Sequence, residues 1–198
     1  AALPALVVTL GTLALFRGLA NVILGPKAIS EWPSWFTEFG FGTIGDSPIP
    51  YTLVVFGLLA GVFWAVTHRT WIGRQVFAIG KNKEAARYAG VRVQRLRTWL
   101  FVLSGTIAAL AGILLAARFS SVRYDNGTGM TLTVVTIVLL GGVDINGGKG
   151  TIPGVILAVF TLAVMQNALR LAGVSGEYQG IAIGLLLILS VILPPIAR

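Results

Sequence analysis

The chain has 198 residues, 56% of them hydrophobic and 11% charged, with a mean hydropathy of +0.86 and a formal net charge of +8. About a quarter of the residues of a soluble domain are charged, so this balance excludes an ordinary water-soluble fold and makes lipid the main solvent. With no cysteine and a single histidine, disulfides, thiolate metal sites and cysteine nucleophiles are excluded, and His68 beside Arg69 reads as an interfacial residue rather than a ligand.

A bilayer core about 30 Å thick takes roughly 20 apolar residues per helix. The first apolar run, Leu3 to Leu24, has no initiator Met and no basic leader, so it does not read as a secretory signal, and the sequence is expected to open partway through a longer protein. Arg17 and Asn21 interrupt its second half, where polar groups face protein or water or reach to an interface. From Gly25 to Pro50 the chain is rich in Pro, Gly, Ser and aromatics, with Glu31, Glu38 and Asp46 against Lys27. Trp32, Trp35 and Phe36 suit the headgroup level, and the stretch is predicted to be an external loop lying on one face. A second span, Tyr51 to Thr67, carries no charge.

Residues 68–98 are the hydrophilic centre: Arg69, Arg74, Lys81, Lys83, Arg87, Arg92, Arg95 and Arg97 stand against Glu84 alone. Short loops rich in Lys and Arg stay in the cytoplasm, so this stretch is predicted to be a cytoplasmic loop, and its charge needs no nucleic acid to explain it. A third span runs from Trp99 to Ala117, and Arg118 to Gly129 forms a polar external turn in which Asn126-Gly127 is turn chemistry. Met130 to Leu140 is too short for an ordinary span and is predicted to be tilted, broken or re-entrant. Gly141 to Thr151 breaks any helix, and Ile152 to Leu171 and Gly180 to Leu193 give two further spans, the last ending at Pro194-Pro195.

The expected fold is therefore all-α and integral to the membrane. It is a polytopic helical bundle of about six membrane segments, one short or broken, forming one transmembrane domain over 1–198 with a cytoplasmic C-terminus. Small residues at four-residue spacing (Gly57 and Gly61; Ser104, Ala108, Gly112 and Ala116; Gly180 and Gly184) are expected to let helices approach closely.

The glycine-rich stretch fails as a P-loop, since Gly148-Lys149 would need Gly at 143 and Ser or Thr at 150, where the chain has Val143 and Gly150. It fails as a dinucleotide fingerprint because Pro153 takes the third glycine position. Two readings remain, a sharp cytoplasmic turn or the lining of a watery cavity at membrane depth. Gln166, Asn167 and Arg170 are polar within a span, which calls for a partner or a substrate. Gln166, Asn167, Tyr178 and Gln179 suit a sugar pathway, amides and an aromatic face being what sugars bind; hydrogen bonding between helices accounts for the same residues. No paired carboxylates and no Ser/His/Asp set occur, so no catalytic residue, metal site or cofactor is expected, and the chain does not read as an enzyme.

Gly73-Arg74-Gln75-Val76-Phe77-Ala78-Ile79-Gly80-Lys81-Asn82-Lys83-Glu84-Ala85-Ala86-Arg87-Tyr88-Ala89-Gly90-Val91 resembles the coupling segment of ribose-type ABC permeases, close to G-R-x-x-x-A-x-G-x-N-x-x-A-A-x-x-x-G-I. Ser104-Gly105, Gly127-Thr128-Gly129, Leu139-Gly141-Gly142 and Gly147-Gly148-Lys149-Gly150 continue the likeness over nearly the whole chain. The resemblance implies a multi-pass permease of the bacterial inner (plasma) membrane, embedded in membrane lipid, that imports a monosaccharide. Its implied partners are two ABC ATPase subunits, a second permease copy or paralogue, and a periplasmic sugar-binding protein. It implies ATPase coupling through Gly80, Asn82, Glu84, Ala85, Ala86 and Gly90, with a short helix over Glu84 to Gly90; the good helix formers Glu84, Ala85 and Ala86 and a terminal Gly90 agree.

Permeases of this family carry further N-terminal spans, and Met165-Gln166-Asn167-Ala168-Leu169-Arg170 stands where relatives often have L-N-N-G-L-N. The later segments are most similar to rhamnose-type permeases, with autoinducer-2 and ribose relatives next. The competing reading is a passive channel or ion-coupled carrier for a small polar solute. The spans offer no Asp or Glu for a coupling ion, and a channel needs no helix-forming patch in a basic loop.

Overall fold

The computed structural model describes residues 5–25, 28–30, 32–43, 45 and 48–196. Among them run α1 (Ala5–Leu24), α2 (Ser34–Phe41), α3 (Tyr51–Arg69), α4 (Trp71–Lys81), α5 (Lys83–Tyr88), α6 (Val93–Phe119), α7 (Met130–Leu140), α8 (Ile152–Leu171) and α9 (Gly176–Ile196). Val7–Leu24, Tyr51–Arg69, Val93–Phe119 and Ile152–Leu171 are long and apolar enough to cross a membrane, and α7 and Gly176–Ser190 are shorter apolar stretches. Val22 is 83% exposed, Phe101 72% and Leu171 82%. Each such side chain left in water forgoes about 1.5–3 kcal/mol of burial, a cost that hydrocarbon removes. The chain is a polytopic helical membrane protein.

The residues group into two compact units, 1–54 with 106–128 and 55–105 with 129–198. In the first, the stretch after α1 is not simply a loop, because α2 forms within it. Pro33, at φ = −58°, precedes the helix in a conformation suited to its start, and Trp32 and Trp35 gather on Phe36 with ring centroids 4.8 and 5.8 Å away. Gly40 brings α2 onto α6: a Cβ there would strike the Ala117 carbonyl, and Ala117 is fully buried. Ile29 and Val122 exchange backbone hydrogen bonds of 3.1 and 2.9 Å, tying the segment after α1 to the one after α6. Arg17 Nη2 donates to Thr128 Oγ1 at 3.4 Å, which gives this guanidinium within α1 a partner in the polar turn. In that turn Asn126 Nδ2 donates to the Ser121 carbonyl at 2.8 Å and Arg123 pairs with Asp125 at 3.3 Å. Lys27, Glu31 and Asp46 lie outside the described residues.

In the second unit α7 packs against α8 and α9. Thr136 of α7 is fully buried and satisfies its own hydroxyl by donating to the Leu132 carbonyl at 2.8 Å. Ala158 and Leu162, four apart on one face of α8, are buried, and Phe56 meets Phe160 edge-on at 6.5 Å. α7 is unbroken over 11 residues and spans only about 16 Å, half a bilayer core. α9 starts four residues before Gly180 and runs through Pro194-Pro195 to Ile196, so the proline pair removes two N–H donors without ending the helix ahead of itself.

Three helices end alike. The N–H groups of Gly90, Gly142 and Gly173 donate to Arg87, Leu139 and Arg170, and those of the following valines, Val91, Val143 and Val174, donate to Ala86, Val138 and Leu169. These are Schellman motifs, with the glycines at φ of +83°, +80° and +75°. The small residues at four-residue spacing behave otherwise than expected: a Cβ on Gly57, Gly61, Gly112, Gly180 or Gly184 meets nothing within 4 Å. Close backbone approach among the described residues occurs instead at other glycines, at Gly40 of α2 against Ala117 of α6 and at Gly80 of α4 against Gly148.

Candidate functional site

The basic stretch 68–98 is largely helical, and its architecture follows from a few residues. α3 stops at Thr70, whose Oγ1 donates to the Val66 carbonyl at 2.5 Å, and Arg69 turns back over the Trp64 ring, 5.4 Å from its centroid. α4 then forms as an amphipathic helix: Gly73 is buried, Gln75, Val76, Phe77, Ile79 and Gly80 are half-buried, and Arg74, Ala78 and Lys81 are exposed. Gly73, Val76, Phe77 and Gly80, at i, i+3, i+4 and i+7, share one face with the helical period, a signal masked in the sequence by the surrounding charge.

Asn82 separates α4 from α5 and serves both. Its N–H closes α4 on the Ala78 carbonyl at 3.1 Å. Its side-chain Oδ1 accepts from Glu84 N and Ala85 N, each at 3.0 Å, capping α5. Helix α5 is only six residues long, ends at the Gly90 Schellman motif, and buries Ala86, 4% exposed, while Glu84, Ala85, Arg87 and Tyr88 stay in solvent. Tyr88 is 91% exposed. A helix this short is not stable by itself, so the cap, the motif and the buried alanine hold it in place.

Gly80 is the residue whose structural partner the sequence did not announce. A Cβ on it would strike Gly148 N and lie 2.7 Å from Gly148 Cα, while one on Gly148 would lie 2.7 Å from Lys81 N. The end of α4 is thus seated on the α7–α8 turn, backbone against backbone. The turn is held by Asp144, whose Oδ1 accepts from Asn146 N at 2.9 Å and whose carbonyl accepts from Gly147 N at 3.0 Å. Thr151 caps α8 through Gly154 N at 3.3 Å. The backbone of the glycine-rich stretch forms a turn, and what that turn touches is the end of α4. The available clue was Gly80 itself: glycine inside a helix costs up to about 1 kcal/mol unless something must come close.

The polar residues of the last helices lie at the far end of α8, about 20 Å along its axis from the turn that meets α4. Gln166 is half-buried on the face shared by Ala158 and Leu162; Asn167, one residue on, is exposed, as is Arg170. Tyr178 is 66% exposed in the first turn of α9. Gln179 Nε2 donates to the Val174 carbonyl at 2.9 Å and braces the α8–α9 turn. Helices α8 and α9 therefore bring the four to one end of the unit, and Gln179 has a structural bond there. Among the described residues no three of His, Asp and Glu gather closely enough to hold a metal ion.

The family described as branched-chain amino acid transport system / permease component matches residues 2–191. The chain is 39% identical over 193 residues to the autoinducer 2 import system permease protein LsrD of Yersinia pseudotuberculosis, covering 94% of this chain and 57% of that protein. LsrD of Yersinia enterocolitica is 38% identical, covering 94% of this chain and 58% of that protein, and LsrD of Yersinia pestis is 38% identical with 94% and 57% covered. The chain thus spans somewhat over half the length of these relatives. No solved structure matches.

Proposed function

Because the chain belongs to the family of branched-chain amino acid transport system permease components, we propose that it is a transmembrane permease subunit of an ATP-binding-cassette importer, carrying a monosaccharide or autoinducer 2 into the cytoplasm. The observation that carries this reading is α5, a separately capped helix offering Glu84, Arg87 and Tyr88 to solvent while its base is seated, through Gly80 and Gly148, on the helices behind it. Separate ATPase subunits dock on α5 at the cytoplasmic face of the bacterial inner membrane, with residues 68–98 and the C-terminus on that side. A second permease copy or paralogue and a periplasmic substrate-binding protein complete the assembly, and residues 1–198 act as one membrane domain within it.

In this mechanism ATP is bound and hydrolysed by the partners, and the chain transmits their motion. Closure of the ATPases moves α5, and Asn82 passes the movement to α4 because it is bonded into both helices. The α7–α8 turn seated on Gly80 carries it into the helices that bear Gln166 and Asn167 at their outer end, with Tyr178 and Gln179 at the start of α9 beside them. Opening there alternates with opening at the cytoplasmic side, as in other rigid-body transport cycles. Half-buried Gln166 offers its amide to sugar hydroxyls, and exposed Tyr178 offers a ring face. Proteoliposomes holding the permease, its ATPase subunits and its binding protein should take up one of rhamnose, ribose or autoinducer 2 only when ATP is supplied. Uptake that persists without ATP refutes the importer reading.

A further inference from the structure

Two cavities flank the head of α6. One, of about 660 Å³, lies between α5 and the start of α6 and is lined by Lys83, Arg87, Arg92 and Arg95 with Glu84 as its one acid. No carboxylate among the described residues is within ion-pair distance of any of these four cations. The other, of about 640 Å³, runs between α3, α4 and α6, where Phe63, Val66, Trp71, Ile72, Trp99 and Leu100 make its wall apolar. Arg92 and Arg95 line both. An apolar groove walled by α3, α4 and α6 thus shares two arginines with a recess lined by four cations and one carboxylate.

We infer that this composite site binds one anionic phospholipid, its phosphate held by Arg92 and Arg95 and an acyl chain lying in the groove. The level along the membrane fits. Trp99, 69% exposed, and Trp71, 61% exposed, flank the groove in the manner of interfacial aromatics, and Arg95 lies one turn, about 6 Å, beyond Trp99 on α6. The two legs need each other: a free phosphate satisfies only the recess, and a zwitterionic lipid satisfies the groove but gains little from the cations. Basic pockets between membrane helices select acidic headgroups for this reason. The inference needs only that α3 and α6 cross the bilayer, so it stands apart from the transport proposal. It also places a lipid against α5, where its occupancy sets how firmly that helix is held.

The test uses the full chain reconstituted in phosphatidylcholine vesicles containing a minor fraction of chain-brominated phosphatidylglycerol, with tryptophan quenching as readout. Brominated phosphatidylglycerol should quench more than brominated phosphatidylcholine at equal fraction, and Trp71→Phe with Trp99→Phe should abolish the difference. In native mass spectrometry the wild type should retain phosphatidylglycerol about thirtyfold more tightly than Arg92→Gln/Arg95→Gln, equivalent to about 2 kcal/mol for two interfacial charges. Arg74→Gln/Arg97→Gln, which removes as much charge outside both cavities, should behave as wild type, and inorganic phosphate should not displace the lipid. Equal quenching by both lipids overturns the inference, as does equal loss in both double variants. Displacement by inorganic phosphate does the same, because it makes the site a free-anion recess. So does a groove that excludes lipid because a second copy of the chain covers it, seen as quenching that vanishes on dimerisation.

Discussion

Replacing Gly80 with alanine gives a test whose sign, and not only its size, separates two accounts of α4. In an ordinary helix alanine is preferred over glycine by up to about 1 kcal/mol, so a Gly80 without a close neighbour would make Gly80→Ala stabilising. Here the new methyl would strike Gly148 N and approach Gly148 Cα to 2.7 Å, and both atoms are backbone, which cannot rotate away. With backbone atoms as the obstacle the overpacking cost falls in the upper part of the usual range, about 2–3 kcal/mol, leaving a net destabilisation of about 1–2 kcal/mol after a helix gain of about 1 kcal/mol. For a chain of this size that lowers the melting temperature by about 3–6 °C. Intrinsic fluorescence of the five tryptophans in detergent reads the transition directly. Gly57→Ala is the control, since its Cβ meets nothing within 4 Å, and it should match or exceed the wild type. A Gly80→Ala variant as stable as the wild type would show that α4 is not seated on the α7–α8 turn.

Asn82→Ala removes the acceptor for Glu84 N and Ala85 N and should cost about 1 kcal/mol, seen as faster amide hydrogen exchange in residues 83–88. Asn82→Asp keeps the acceptor and should largely restore protection. Glu84→Arg and Tyr88→Ala alter only exposed groups of α5 and should abolish co-purification with the ATPase subunits at unchanged melting temperature; retained binding would mean that α5 is not the docking helix. Gln166→Ala should raise the substrate concentration needed for half-maximal uptake several-fold, with ATPase association intact.

The apolar spans and the basic centre were legible because bilayer thickness and charge asymmetry act on whole segments. Ile152–Leu171 and Met130–Leu140 have the bounds their composition suggests. The small helix near Glu84 was expected from the resemblance over Glu84 to Gly90, with the alanines and Gly90 in agreement; it runs over Lys83–Tyr88, and its Asn82 cap was not read from the sequence. Helices α2 and α4 were not: Pro33 and the aromatics around it look like loop chemistry, and α4 carries Arg74 and Lys81 on the face that hides its period. The mating of Gly80 with Gly148 was beyond reach because it joins residues 68 positions apart through atoms that every residue possesses. Gln179, expected on the sugar pathway, also donates to the Val174 carbonyl, a local bond that its place in the sequence did not announce.

Two glycine backbones in contact have no side-chain torsions through which to yield. A junction between leucines can absorb an ångström of displacement by changing rotamer, whereas the seat of Gly80 on Gly148 must either move as one piece or separate. In the transport cycle proposed above it would act as a push-rod bearing without play: a cross-link that fixes Lys81 to the α7–α8 turn should leave uptake intact, while a longer, softer side chain inserted there should lower it.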